Sequence, residues 1–237
     1  MPIQAVENRR LYRQIADQIA ALIEQGEYGD GARLPPERDL ARQLGVSRPS
    51  VREALIALEV GGYVEVRVGS GVYVHGARPA AMAAEALNAE SGPFELIRAR
   101  SLIEGECAAL ASKEATRAQL RTLEESLDAM EEDARQGEDA LANDRLFHLR
   151  LAEASGNSAL VLVVKTLWDQ RMGPLFRRLE HHFDTPDLWR VAIREHREIL
   201  AAVAKHDAQG ARLAMRRHMN HAAKRFSTSW GKRKNKK

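Results

Sequence analysis

The chain has 237 residues, 44% of them hydrophobic, and no apolar run approaches the roughly 20 residues that a membrane-spanning helix needs. With no apolar signal segment at the N-terminus either, we expect a soluble, cytoplasmic protein of one large domain or two modest ones. The net charge of +3 does not by itself indicate a nucleic-acid partner, because five positive charges lie in the last seven residues and residues 1–74 sum to −1. The single cysteine, Cys107, excludes an internal disulfide and is expected to be a small buried hydrophobe.

The first amphipathic segment spans residues 8–25. Its apolar side chains recur at helical spacing: Leu11, Ile15, Ile19, Leu22 and Ile23. We interpret this segment as one helix that ends at the glycine-containing stretch 26–31 and packs against the elements that follow.

Residues 33–74 predict two short helices followed by a β-hairpin. Two adjacent prolines favour a helix start near residue 37, and Gly45 is the residue type that a left-handed turn after that helix needs. Ser47 is a good N-cap for a second helix, which ends at a pair of glycines. The β-rich runs 63–66 and 72–74, joined by a glycine-containing tip at 68–71, predict a small wing.

Arginines are concentrated on the two short helices. From Arg38 to Arg52 there are four arginines against a single acidic residue. Helical periodicity places Arg48 and Arg52 together on the outward face near the start of the second helix. Helix, short turn and helix is the spacing of a helix-turn-helix, whose second helix contacts bases in the major groove of DNA. We therefore predict a winged helix-turn-helix; the alternative is a small helical domain with a solvated arginine face.

The rest of the sequence predicts a second, all-helical domain. Residues 77–93 are small and alanine-rich, which is typical of a linker, and they separate a DNA-binding domain at 1–76 from a helical domain at 94–229. The basic tail at 230–237 is expected to be disordered. Short connections favour an antiparallel bundle, so the fold class is mainly α. The predicted helices are 94–112, 116–135, 138–154, 158–182, 187–206 and 208–228, with a kink or break at Gly173-Pro174.

Polar side chains interrupt the apolar stripes of three of these helices. Asp144 and His148 are one turn apart on one helix, and His196 and His218 lie on the apolar stripes of two others. A carboxylate in a helical core needs a partner. One carboxylate and three imidazoles suit a divalent transition metal, most simply zinc, with nickel or manganese not excluded. The alternative for each histidine taken alone is a core histidine with its hydrogen bonds satisfied.

The other histidines give weaker signals. His181 and His182 lie near a helix end and are expected to be exposed. His206 precedes Asp207, and a His-Asp pair in an all-helical domain can mark a metal phosphohydrolase. Both residue types are also ordinary at the end of a helix shortly before a glycine, and we favour that interpretation.

These motifs together resemble the GntR family of bacterial transcription regulators, in particular its FadR subfamily with the FCD ligand domain. The resemblance covers nearly the whole chain. It is carried by RLPPERDLARQLGVSRPSVREALIALEVGGYVEV in the first half and by ELIRARSLIEGECAALA, NDRLFHLRLAEASGN, EHREILAAV and AMRRHM in the second. The segments GPFELIRARSLIE and LWDQR look most like the hexuronate-responsive (UxuR- and ExuR-like) members.

The resemblance implies roles for particular residues. The DNA-contacting set is Arg38, Ser47, Arg48, Ser50 and Arg52, with Gly69 at the wing tip; the metal ligands are Asp144, His148, His196 and His218, as the stripes also indicate. The effector-binding set is Arg100, Arg171 and Asn157. For Arg100 the alternative is a surface ion pair with Glu104, four residues on.

The resemblance implies a homodimeric regulator, expected to be a repressor, that binds a pseudo-palindromic operator. Its operator affinity would respond to a small carboxylate, such as a hexuronate or a related sugar acid, bound at the metal site. A rival from another class is a helical metalloenzyme, a hydrolase with an appended nucleic-acid module. It would need a general base beside the metal, for which Glu104 and Glu195 are candidates. A ligand-binding module with no DNA role is a third alternative.

Overall fold

The computed structural model describes residues 10–75, 91–183 and 186–227, so most of the predicted linker and the whole basic tail lie outside the described residues. The described elements are α1 (Leu11–Glu24), α2 (Glu37–Leu44), α3 (Arg48–Val60), β1 (Val64–Arg67), β2 (Gly71–Val74), α4 (Pro93–Glu114), α5 (Arg117–Gln136), α6 (Leu141–Ala154), α7 (Ser158–Arg171), α8 (Pro174–His181), α9 (Pro186–Ala204) and α10 (Ala208–Ser227). This order confirms the predicted fold class. One unit holds the described residues up to Phe94 together with Gly173–His182, and the other holds Glu95–Met172 and Phe183–Phe226.

Helix α3 is the centre of the first unit. All of residues 51–59 are buried, because α1, α2, β1 and α8 pack against this helix. The contact face of α1 differs from the predicted stripe, since Leu11 and Leu22 are exposed. The buried residues of α1 are Tyr12, Ile15, Ala16 and Ile19.

The turn between α2 and α3 forms as its residue types predict. Gly45 follows α2 in the left-handed region, with φ of 65°. Ser47 caps α3, and its side-chain oxygen accepts a hydrogen bond from the Ser50 amide at 3.3 Å. The wing follows as an antiparallel pair, in which Arg67 lies opposite Gly71. Valines alternate inward along both strands and join the core around α3.

Helix α8 belongs to the first unit, although the sequence prediction grouped it with the bundle. Pro174 begins this helix, because a proline at the first helical position sacrifices no hydrogen bond. Its apolar side chains Leu175, Phe176 and Leu179 are buried, and the helix packs against α3. The sequence showed the break at Gly173-Pro174, but an apolar stripe does not reveal which surface it covers.

The second unit is a helical bundle in which α5 packs against α6 and α9, and α6 packs against α7. Its largest fully buried side chains include Phe147, Leu151 and Trp168. Cys107 is buried as predicted, and burial raises the pKa of its thiol to about 12. None of the described helices combines the length and the apolar character that crossing a membrane requires.

Candidate metal centre and nucleic-acid interface

Three helices of the bundle bring the predicted ligand set together. Asp144 and His148 share one face of α6, His196 comes from α9 and His218 from α10, and all four residues are buried. One possible ligand atom from each lies within 4.8 Å of the others. The Nε2 atom of His196 is 3.1 Å from Asp144 Oδ1 and 3.0 Å from His148 Nε2. The helical stripes therefore converge as the spacing indicated.

The second ring nitrogen of each histidine is bound by a group outside the cluster. His148 Nδ1 contacts Glu104. His196 Nδ1 lies 2.7 Å from the carbonyl oxygen of Ala192, and His218 Nδ1 lies 2.7 Å from Glu195 Oε2. Because a carbonyl or carboxylate can only accept, each Nδ1 carries the proton and each Nε2 keeps its lone pair for the cluster.

This outer arrangement fits a metal centre. Metal-binding histidines usually donate their other nitrogen to a carboxylate or carbonyl, which fixes both tautomer and ring orientation. Three nitrogen donors and one carboxylate oxygen match the ligand preferences of zinc and its neighbours. The buried Asp144, His148, His196 and His218 group can therefore hold a divalent metal ion.

The electrostatics of the cluster favour a bound cation. Burial raises the pKa of Asp144, but the adjacent imidazoles of His148 and His196 hold it well below its ordinary value of 3.8. Burial and the neighbouring His196 lower the pKa of His218 to about 3, so this ring is neutral at neutral pH. Burial lowers the pKa of His148, but Glu104 and Asp144 raise it by more.

The outer carboxylates are also ionised. Burial raises the pKa of Glu104, but Arg100 and His148 bring it down to about 2. Burial raises the pKa of Glu195, but its interactions with His218, His221 and Arg225 together bring it down to about 2. Negative charge is thus concentrated around the ring nitrogens.

Arg100 and Arg171, two of the predicted effector-binding residues, meet at one aromatic ring. The guanidinium carbon of Arg100 lies 4.0 Å from the ring centroid of Trp168, and that of Arg171 lies 5.1 Å from it. Arg100 Nε also donates to Glu104 Oε1 at 2.6 Å. This is the Arg100–Glu104 pair that the sequence offered as the alternative, but it is buried rather than on the surface. It joins the arginine to His148 through one carboxylate.

Asn157, the third predicted effector-binding residue, lies at the start of α7 and is exposed. Its side-chain oxygen accepts hydrogen bonds from the amides of Ala159 and Leu160, at 3.0 and 3.2 Å. This geometry makes Asn157 the N-cap of α7. Its predicted effector role stays a prediction.

The predicted DNA-contacting residues divide into exposed and buried members. The side chain of Arg38 is 80% exposed and that of Arg48 is 46% exposed. Ser47 and Ser50 share a hydrogen bond at the start of α3, and Gly69 lies at the wing tip with φ of 86°.

Arg52 is the exception, and the prediction that it shares an outward face with Arg48 is wrong. Its side chain is 1% exposed, and Nη2 donates to Glu37 Oε2 at 2.6 Å. Burial lowers the pKa of Arg52, and Glu37 offsets part of that effect. Glu37 also lies 3.6 Å from Arg48 Nε. The buried Arg52 therefore holds a carboxylate that also faces the exposed Arg48.

His206 and His182, which lie outside the cluster, have different surroundings. His206 adopts a positive φ of 57° in the turn before α10, and Asp207 accepts a hydrogen bond from the Gly210 amide at 2.8 Å. This agrees with the turn interpretation of the His-Asp pair. His182 was expected to be exposed, which is wrong, because its Nε2 lies 2.6 Å from the buried carboxylate of Glu59.

Glu104 and Glu195 were predicted as possible general bases, and Glu104 also as a surface partner of Arg100. The structure places the Glu104 carboxylate against His148 Nδ1 and the Glu195 carboxylate against His218 Nδ1, both on predicted ligand histidines. The spacing of Glu104, four residues after Arg100, was a usable signal. For Glu195 no periodicity signal existed, because the residue next to His196 is expected to point away from the stripe.

Comparison with known proteins agrees with this architecture. Residues 11–74 match the model described as bacterial regulatory proteins, gntR family, and residues 95–221 match the model described as FCD domain. The Exu regulon transcriptional regulator of Escherichia coli K12 is 41% identical over 226 residues, covering 92% of this chain and 84% of that protein. The Uxu operon transcriptional regulator of the same organism is 37% identical over 228 residues, covering 94% and 89% respectively. The Uxu operon regulator of Haemophilus influenzae is 36% identical over 211 residues, covering 89% and 79%.

Solved structures support the same fold. E. coli McbR/YncC superposes with a TM-score of 0.50 at 26% identity, covering 92% of this chain and 97% of that chain. Lar, which controls the expression of the Listeria monocytogenes agr system, superposes with a TM-score of 0.52 at 18% identity, covering 93% of this chain and 98% of that chain. At that identity the second likeness supports the fold alone.

Proposed function

The chain belongs to the GntR family of bacterial regulatory proteins, with an FCD domain in its C-terminal half, and from this membership we propose that it is a repressor responsive to a sugar acid. As a member of that family it is a DNA-binding transcription regulator rather than an enzyme. The finer assignments proposed are a hexuronate or related sugar acid as effector, zinc as the metal, and a cytoplasmic homodimer as the active form.

The observation that carries the proposal is the buried ligand cluster with two arginines beside it. A metal held by Asp144, His148, His196 and His218 would supply positive charge and open coordination positions for carboxylate and hydroxyl oxygens. The guanidinium groups of Arg100 and Arg171, near Trp168, suit recognition of a carboxylate, because their planar donors match its two oxygens. A hexuronate offers both a carboxylate and several hydroxyls. The Exu and Uxu regulators among the relatives support this effector class.

The operator would be bound by the exposed part of the helix-turn-helix. Arg38 and Arg48 are exposed and available to contact guanine edges or phosphates. Ser47, Ser50 and Gly69 would contact the sugar-phosphate backbone of the DNA. Arg52 stays in the proposed set as the buried residue that positions Glu37. Two wings in a homodimer suit a pseudo-palindromic site. Effector control then requires the sugar acid to bind one arrangement of the dimer better than the other.

A thermal-shift screen tests the effector assignment. Hexuronates, other sugar acids and simple carboxylates are added to zinc-loaded and to chelated protein, and the expected result is a stabilising shift that only the loaded protein shows. Arg100→Met should abolish the shift, whereas Arg98→Met, at an exposed position on the same helix, should not. Shifts with simple carboxylates alone would contradict the sugar-acid assignment, and equal shifts after chelation would contradict the metal's role.

Operator binding tests the DNA interface. A duplex that the wild-type protein selects from random sequence serves as the operator. Arg48→Ala should cost about 1–3 kcal/mol of specific binding if Arg48 contacts a base. Unchanged affinity would remove Arg48 from the interface.

A further inference from the structure

A basic groove lies in the first unit between the wing tip and the helix-turn-helix. It has a volume of about 400 Å³, and its lining includes Arg33, Arg38, Arg48 and the tip residues 69–71. The acidic residue among the lining is Glu37, whose carboxylate is already bound by Arg52 at 2.6 Å. The groove therefore presents three guanidinium groups with little negative charge to neutralise them.

Arg33 is neither on the helix-turn-helix nor in the proposed DNA-contacting set. It precedes α2, and its backbone is tied to the wing through a bridge with Tyr73. The next residue, Leu34, donates its amide to the carbonyl oxygen of Val72 at 2.9 Å. These backbone contacts hold Arg33 beside β2.

The side chain of Arg33 lies directly against the backbone of Gly71. A Cβ atom at Gly71 would be 2.6 Å from Arg33 Nε and 3.2 Å from its guanidinium carbon. Gly71 also has φ of 139°, so glycine is required there for its backbone conformation as well as for this close approach. The glycine thereby allows the arginine to lie along the wing tip.

Arg33 is exposed, and its guanidinium has no ion-pair partner within residues 10–75, 91–183 and 186–227. Its neighbours on the helices differ, since Arg38 lies 3.6 Å from Asp39, and Arg48 lies 3.6 Å from Glu37. A positioned cation without a carboxylate, at the rim of a basic groove, is suited to an external anion. In a DNA-binding unit the anion that recurs along the ligand is the phosphate.

We propose that Arg33 is a phosphate clamp, which binds a DNA backbone phosphate in the groove between the wing and the helix-turn-helix. The inference rests on the proposed DNA interface and adds a residue to it. The clamp positions the protein on the duplex and reads no base. Its contribution is therefore independent of sequence and sensitive to salt.

Fluorescence anisotropy with the selected operator and with a scrambled duplex, over a range of salt concentrations, tests the clamp. Arg33→Ala should weaken binding to both duplexes by the same factor. The slope of log K against log salt should fall by about 0.9, which corresponds to one phosphate contact. Arg33→Lys should keep most of that slope, because lysine binds a phosphate as a point charge. The matched control is Arg42→Ala, at an exposed arginine of α2 that pairs with Asp39 and lies outside the groove lining.

The outcomes separate this inference from the proposed interface. Loss of binding to the operator alone would show base reading and overturn the clamp. Wild-type affinity and slope in Arg33→Ala, with a loss in Arg48→Ala, would overturn the clamp but leave the interface intact. Unchanged binding in both variants would contradict the interface itself. Circular dichroism and thermal unfolding confirm that each variant is folded before its affinity is interpreted.

Discussion

Replacing Glu104 by glutamine tests whether the carboxylates around the candidate metal centre strengthen metal binding. The carboxylate of Glu104 is 2% exposed, contacts His148 Nδ1 and accepts from Arg100 Nε at 2.6 Å. A glutamine keeps the shape but offers one acceptor oxygen to two donors, and it removes the negative charge. Either His148 Nδ1 or Arg100 Nε would therefore face the amide N–H group of the glutamine.

The expected loss can be estimated from these contacts. Removing the outer partner of a metal-binding histidine typically lowers metal affinity 10- to 100-fold, which is about 1.4–2.7 kcal/mol. The donor left unsatisfied should cost about 1–3 kcal/mol of unfolding free energy as well. Glu104→Gln should therefore bind zinc more weakly and unfold more easily than the wild type.

The assay is zinc competition against a chromophoric chelator at neutral pH, with urea unfolding of the chelated protein in parallel. Glu106→Gln is the matched control on the same helix, because Glu106 is half-exposed and pairs with Arg212 at 2.8 Å and Arg216 at 3.0 Å. Its zinc affinity should equal that of the wild type. Folded Glu104→Gln protein with wild-type zinc affinity would refute the reasoning.

Three further predictions follow from buried or capping contacts. Arg52→Met should cost about 3 kcal/mol of unfolding free energy in urea, because it strands the carboxylate of Glu37; a loss under about 1 kcal/mol would contradict the buried-pair assignment. Glu59→Gln should destabilise the protein at neutral pH. Burial raises the pKa of Glu59, but hydrogen bonds, the strongest from His182, bring it below 4.5. That stabilisation is present above the unfolded-state pKa and is lost as the pH falls through the folded-state pKa. The difference in urea midpoint between variant and wild type should therefore shrink in acid. A difference that stays constant would contradict the role of the ionised Glu59. Asn157→Ala should cost about 1 kcal/mol in thermal unfolding through the lost cap and leave zinc affinity unchanged, and a lost effector response would instead support its effector role.

The local sequence was enough to predict most secondary structure, because its signals act over short distances. The left-handed turn at Gly45, the cap at Ser47 and the break at Gly173-Pro174 each depend on neighbouring residues. The convergence of the predicted metal ligands was also predictable. Asp144 and His148 are one turn apart, and His196 and His218 each stand at a core position of their own helix.

What the sequence could not decide were the contacts between distant residues. Arg48 and Arg52 are equivalent in periodicity, and only the packing of α2 against α3 buries one and exposes the other. Helix α8 has an apolar stripe that fits any partner surface, and the fold places it against α3.

The carboxylates around the metal ligands were undecided for the same reason. Glu104, Glu195 and Glu106 are not distinguished by the sequence. The first two contact predicted ligand histidines, whereas Glu106 is half-exposed and pairs with Arg212 and Arg216. Helical spacing fixes which side chains share a face, whereas burial and the choice of partner depend on what the rest of the chain brings to that face. The sequence by itself therefore predicted the winged helix-turn-helix and the convergence of Asp144, His148, His196 and His218. The tertiary structure decided which charged side chains are buried and which partners they contact.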